Sequence, residues 1–158
     1  MYKILFLCLI SFVFSVKNMS RLAINLVKKF EGCNLTTYIN YRDNLAIGYG
    51  TTNKDIPATR TRITSNMTIS QETAEKWLID SLYKIYVPLV NKYDSIYDWT
   101  QNEFDALVSY VYGKGYMEDI TLNGHISKAG VANRIRNPRE SNPDIIRRRE
   151  LEYNIFVK

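Results

Sequence analysis

The chain is short of cysteine and histidine. Cys8 and Cys33 are its two cysteines and His125 is its one histidine in 158 residues. With Cys8 inside an N-terminal apolar stretch, there is no disulfide framework of the kind that staples small secreted domains. A catalytic thiol needs a base beside it, and His125 is far along the chain, so Cys33 reads as a small buried apolar residue rather than a nucleophile. Neither a metal nor a cofactor is expected. The sequence also lacks internal repeats, low-complexity tracts and an interdomain linker. One domain is therefore expected, of a size that buries about two thirds of its unfolded surface. No signature of the common nucleic-acid modules is present, which excludes nucleic acid as an expected partner. The densest basic run, Arg147-Arg148-Arg149, lies in an amphipathic helix pattern and reads as a solvated or salt-bridged face.

Long hydrophobic runs are missing as well. The longest extends from Ile4 to Val16 between Lys3 and Lys17, too short for a bilayer core that takes about 20 helical residues. With Ser15 offering a small residue for cleavage, the pattern is that of a secretory signal, and an uncleaved anchor is the weaker reading. Residues 1–16 are thus expected to be a signal peptide and 17–158 the domain. The mature chain would be secreted or extracytoplasmic, monomeric, and without stable membrane insertion. The net charge of +5, or +4 without Lys3, draws such a domain to polyanionic surfaces. The triplets beginning at Asn18, Asn34 and Asn66 are glycosylation acceptors on a eukaryotic secretory route.

Apolar spacing places the helices. Leu22, Leu26, Val27 and Phe30 recur at helical intervals after Ser20, a good N-cap, with Gly32 as the stop, so Glu31 falls in the last turn. Residues 35–64 are rich in Thr, Tyr and Ile with turn formers at Asp43-Asn44, Gly48, Gly50 and Asn53, and read as short antiparallel strands. A second helix begins near Ser70, with Ala74, Trp77, Leu78, Leu82 and Ile85 on one face until Pro88 kinks or ends it. Thr100-Gln101-Asn102-Glu103 is a capping box opening a central helix that Gly113 closes. Asn142 caps a last helix with Pro143 at its first position. Residues 114–141 read as turns and at most one short helix.

The stretch from Glu31 to Thr52, EGCNLTTYINYRDNLAIGYGTT, puts an acid ahead of a turn-rich, strand-like segment. It resembles the catalytic segment of the phage-type lysozymes, glycoside hydrolase family 24. Laid on this chain without a gap, the acid, base, threonine and histidine positions of that pattern fall on Glu31, Asn40, Ala46 and Thr51. Later segments extend the resemblance. Met67-Thr68-Ile69-Ser70 looks like the family's entry into its linking helix, WTQNEFDALVSYV from Trp99 to Val111 is close to its central helix, and Ile145 to Phe156 follows its closing double-Arg, Glu, Leu-Phe pattern.

The resemblance implies an α+β, mostly helical lysozyme-like fold, with a small β-hairpin lobe joined by a long helix to a helical lobe. It implies bacterial peptidoglycan as partner and substrate, cleaved at the β-1,4 bond between N-acetylmuramic acid and N-acetylglucosamine. Such a bond needs a proton donor for the leaving oxygen and, in inverting enzymes, a base that activates water on the opposite face. Glu31 matches the acid, and the resemblance sets an arginine beside it, Arg148 or alternatively Arg149. Asn40 and Ala46 depart from the pattern: an amide cannot take the water's proton, and Ala46 lacks the hydroxyl that helps hold that water. Asp43 is the nearest spare carboxylate, either a substitute base or simply a turn former with Asn44. Tyr38, Tyr41 and Tyr49 are candidates for stacking on sugar rings. The chain is then a glycosidase of weakened or altered mechanism, or an inactive protein of this fold that binds peptidoglycan or a related glycan.

Overall fold

A computed structural model describes residues 16–114, 116–138 and 141–158. The expected signal segment lies outside these residues except for Val16. Helix α1 spans Arg21–Glu31, and the Ser20 hydroxyl accepts from the Ala23 amide at 3.2 Å. Its buried residues are Ala23 and Val27. Leu22, expected on that face, is 82% exposed, so the inner stripe is narrower than the apolar spacing suggests.

Strands β1 (Asn34–Ile39), β2 (Leu45–Gly48) and β3 (Thr51–Thr52) form an antiparallel sheet in sequential order. Tyr38 faces Ala46, and Ala46 faces Thr52 across the next ladder. In the turn joining β1 and β2, the Asn40 side-chain oxygen accepts from the amides of Arg42 (2.9 Å) and Asn44 (3.1 Å). The expected strands beyond residue 52 do not form. Thr52 instead caps a 3-10 turn over Asn53–Asp55 in a reciprocal capping box, and the chain passes into α2, Ile56–Thr59, with Pro57 in its first turn. A local hydrogen-bond partner for the backbone therefore displaced the strand pairing that composition favoured. Residues 60–69 return along β1, where Thr37 donates to Met67 and Ile69 donates to Leu35.

Helix α3 (Gln71–Ser81) does not end at Pro88. It widens into a π-type turn over Leu82–Tyr86 and runs on as α4, Val87–Asn91. Proline lacks an amide donor and its ring crowds the carbonyl four residues back, and a wider turn relieves both problems. The helical lobe then adds α5 (Asp94–Tyr97), α6 (Gln101–Lys114), α7 (Met117–Thr121), α8 (Lys128–Arg136) and α9 (Pro143–Phe156). Residues 114–141 thus hold two helices, where at most one short helix was expected. Val131, Ala132 and Ile135 supply the inner face of α8, a stripe diluted by Gly130, Asn133 and two arginines.

Two hydrophobic cores result among the described residues. Ile47, Ile63 and Trp77 make the small one under the sheet, while α1, α3, α4 and α6–α9 enclose the large one around Leu78, Trp99, Phe104, Leu107 and Val111. Trp99 stacks on Tyr97 with ring centroids 4.2 Å apart and meets Phe156 edge-on. The sheet approaches α3 at Gly48, whose φ is 62° and where an added Cβ would come within 3.1 Å of Ala74 Cβ. We expect Gly48→Ala to destabilise the fold by about 1–3 kcal/mol through left-handed backbone strain and crowding against α3, measured as a lower denaturant midpoint with unchanged slope.

Candidate active site

Glu31 is the last residue of α1, and its carboxylate meets a guanidinium projecting from α9. Arg148 Nη1 donates to Glu31 Oε1 at 2.5 Å, Nη2 to the Ser109 carbonyl of α6 at 2.9 Å, and Nε to Glu152 Oε1 at 3.0 Å. Glu152 is fully buried. It also accepts from the Ser109 hydroxyl at 2.6 Å and from Arg149 Nη1. Of the two arginines the sequence offered, Arg148 thus reaches the acid, and Arg149 instead pairs with Glu152 and lies over the Tyr110 ring. Burial works against the charge on Arg148, but Glu152 and Glu31 outweigh it and raise its pKa. Every charge in this chain of contacts has an opposite partner, which the interior requires.

Small residues make room for the pair. A Cβ on Gly113 would fall 2.9 Å from the Arg148 guanidinium carbon, and one on Gly50 would fall 3.3 Å from Glu31 Oε2. Phe30 lies under Arg148 at 5.0 Å and completes the pocket for its planar head.

Glu31 lines an open cleft of about 970 Å³ between the two lobes. Tyr38, Asn40 and Tyr41 line it too. Tyr41 is 77% exposed at its mouth with Arg42 stacked on its ring. The Arg42 guanidinium reaches across to donate to the Gly113 carbonyl at 3.3 Å, bridging the β1–β2 turn and the end of α6. Three sequence candidates lie elsewhere. Tyr49 is buried in the large core, its hydroxyl accepting from Gln71 and its carbonyl from Tyr112. Ala46 is fully buried and does not line the cleft. Asp43 is an exposed turn residue with a left-handed φ of 55°, also outside the lining. Cys33 is exposed, correcting the expectation of a buried residue, and desolvation raises its thiol pKa, the opposite of an activated nucleophile.

Sequence reading missed a second carboxylate on the cleft wall. Asp55 is 3% exposed yet lines the cleft. It accepts from the Thr52 amide (2.8 Å), the Thr52 hydroxyl (3.3 Å) and the Tyr86 hydroxyl (3.3 Å), and burial pushes its pKa up. Tyr86 packs against Tyr112 with centroids 4.8 Å apart, and desolvation raises both phenols. The spacing Thr52 to Asp55 is a capping-box pattern and could have shown the local turn, though not its place in the cleft. Glu152 was visible as the residue four positions after Arg148. Among the described residues no cluster of three or more His, Cys, Asp or Glu side chains could hold a metal ion.

An open cleft between a small β lobe and a helical lobe, with a glutamate presented from a helix end, defines a lysozyme-like protein. Residues 28–150 match the family described as Phage lysozyme, and the chain belongs to it. It is 32% identical over 145 residues to an endolysin of Lactococcus phage c2, across 88% of this chain and 60% of that protein, so it spans about three fifths of that relative's length. Among solved structures it resembles the endolysin from Escherichia coli O157:H7 phage FAHEc1, with a TM-score of 0.66 and 26% identity over 90% of this chain and 95% of that one. It also resembles the muramidase domain of SpmX from Asticaccaulis excentricus, with a TM-score of 0.66 and 25% identity over 89% and 98% of the two chains.

Removing one partner from a buried ion network leaves the others uncompensated, so Arg148→Met should lower stability by about 3–5 kcal/mol in denaturant titration. A second outcome concerns pH. Because the folded-state pKa of Asp55 is raised, its contribution to stability is greatest below its unfolded pKa and is lost as pH rises through the folded one. Asp55→Asn should therefore gain stability relative to the parent between about pH 3 and pH 7, read as the difference in Tm at the two ends.

Proposed function

We propose that the chain is a peptidoglycan glycosidase that cleaves the β-1,4 bond between N-acetylmuramic acid and N-acetylglucosamine, with Glu31 as general acid. The observation that carries this reading is the Glu31 carboxylate fixed by Arg148 at 2.5 Å on the wall of an open interlobe cleft. A group held in this way is oriented before substrate arrives, which is where much of an enzyme's rate advantage originates. Membership of the phage lysozyme family and likeness to a muramidase domain support the substrate class. Tyr38 and Tyr41 line the cleft with faces suited to sugar rings, and Arg42 adds positive charge toward an anionic wall. The site of action is the extracytoplasmic cell wall, reached after removal of residues 1–16. No helix among the described residues is long and apolar enough to cross a membrane.

A second reading, a protein of this fold that binds glycan without cutting it, is favoured by Asn40. Its side-chain oxygen is engaged by two turn amides, so at the family's base position it serves the backbone.

Purified peptidoglycan separates the two, with turbidity loss and release of muropeptides as the readouts. Under the glycosidase reading the parent is active and Glu31→Gln lowers turnover by roughly 10²–10⁴-fold. Asn40→Asp keeps an acceptor for the turn and raises turnover by up to roughly 10²-fold. A silent parent whose Asn40→Asp variant is active would instead show a sound fold without the chemistry, leaving binding as the function to pursue.

A further inference from the structure

The glycosidase reading leaves one step without a group to perform it: something must take the proton from the attacking water. Asn40 cannot, and neither Ala46 nor Asp43 lines the cleft. We infer that Asp55, hydrogen-bonded to Thr52 on the wall shared with Glu31, is the general base of this cleft, a carboxylate and hydroxyl pair moved from β1–β2 to β3 and the turn behind it. The inference rests on the glycosidase reading.

Register supports the move. Ala46 stands at the family's threonine position, and Thr52 is its direct partner across the β2–β3 ladder. Opposed residues of a ladder share a face, so a hydroxyl is present one strand away from the place where the pattern has it. Ala46 is fully buried while Thr52 lines the cleft, and the Thr52 hydroxyl donates to Asp55 Oδ2. An ionised carboxylate has about four acceptor sites. Thr52 takes two and Tyr86 takes one, and the buried Ser81 hydroxyl also acts on this carboxylate, so an attacking water takes the place of one of these donors.

The surroundings of Asp55 are not those of a purely structural acid. Carboxylates are seldom buried unless paired, and among the described residues no lysine or arginine pairs with Asp55. A capping box needs an acceptor at this position, and a neutral side chain would supply it without a buried charge. What the carboxylate adds is basicity, and its raised pKa strengthens it as a base. Tyr112 connects the two acids electrostatically: its hydroxyl lies within the influence of both Glu31 and Asp55.

The step balances. Water oxygen bonds to the anomeric carbon of the muramic acid unit while its proton passes to Asp55. The bond from that carbon to the leaving oxygen breaks as Glu31 delivers its proton to that oxygen. Asp55 ends protonated and Glu31 ionised, and exchange with solvent resets both. Attack from the face opposite the leaving group inverts the anomeric centre.

The test compares the parent, Asp55→Asn and Glu31→Gln on purified peptidoglycan, recording kcat, KM and Tm, and follows the anomer first released by the parent by NMR. We expect inverted product from the parent, and in Asp55→Asn a fall in kcat of roughly 10²–10⁴-fold with KM nearly unchanged and Tm not lowered. Asp55→Asn as active as the parent, while Glu31→Gln is dead, overturns the assignment and leaves the glycosidase reading standing. Retained configuration or anhydro ends from the parent overturn it likewise, since a retaining enzyme reuses its acid as the base on water and the anhydro route uses no water, so neither needs Asp55 in that role. A fall in Tm that accounts for the lost turnover overturns it in favour of the capping role. An inert parent, equal to Glu31→Gln, defeats the glycosidase reading itself.

Discussion

The Arg148 guanidinium is the contact on which the geometry of the site depends. Through its three nitrogens it ties the end of α1, the middle of α6 and the next turn of α9. A buried ion pair is a poor source of net stability, because desolvation offsets most of the attraction, but a network with one member missing is costly. Such contacts therefore act mainly on register. Successive residues on a helix point about 100° apart, so a one-residue rotation of α9 would turn Arg149 toward Glu31 and leave Glu152 without its paired arginines. Gly113 belongs to the same constraint, since any larger residue would occupy the space of the guanidinium.

The cleft exists because the two cores do not merge. Trp77 and Leu78 are neighbours on α3, yet Trp77 packs under the sheet and Leu78 in the large lobe. One helix is thus a wall of both, and its widened turn before Pro88 lets it continue down the back of the opening. At the front, the lobes touch through the hydrogen bond from Arg42 to Gly113, an exposed contact that is worth little in water and can open for a substrate. The permanent connection is behind the site and the breakable one lies across its mouth.

Much of this was legible in the sequence, and the failures have separate physical causes. Helices with a strong cap, α1 after Ser20, α6 after Thr100 and α9 after Asn142, were readable from their start signals, although α9 buries Arg148, Arg149 and Glu152 beside Phe156 rather than an apolar stripe. Helix α8 was not, since only Val131, Ala132 and Ile135 mark its inner face, too few apolar residues to stand out in the sequence. The segment after Thr52 misled because β-forming residues were overridden by a reciprocal capping box between Thr52 and Asp55, a local competition that composition does not show. In the site, the resemblance led to the expectation of an arginine beside Glu31, but choosing Arg148 over Arg149 required knowing which way α9 faces. Asp55 was invisible for a different reason. It is buried against Tyr86, more than thirty residues later, and no pattern within the strip from Glu31 to Thr52 announces that contact.

Position 46 shows why departures from a family pattern have to be judged in three dimensions. Taken along the sequence, Ala46 in place of a threonine is a lost hydroxyl. In the sheet, Tyr38, Ala46 and Thr52 form one row across three strands. Ala46 occupies its closed middle and Thr52 its edge toward the cleft. A hydroxyl at the middle would be buried and in need of a partner, whereas one at the edge finds Asp55 and remains open to solvent. Likewise Asn40 has its oxygen occupied by turn amides, a task a carboxylate could share only by giving acceptor capacity to the backbone. The two substitutions are thus consistent with each other. A hairpin relieved of holding water can be optimised as a turn, provided the carboxylate and hydroxyl recur elsewhere on the same wall, and Thr52 with Asp55 is where they recur.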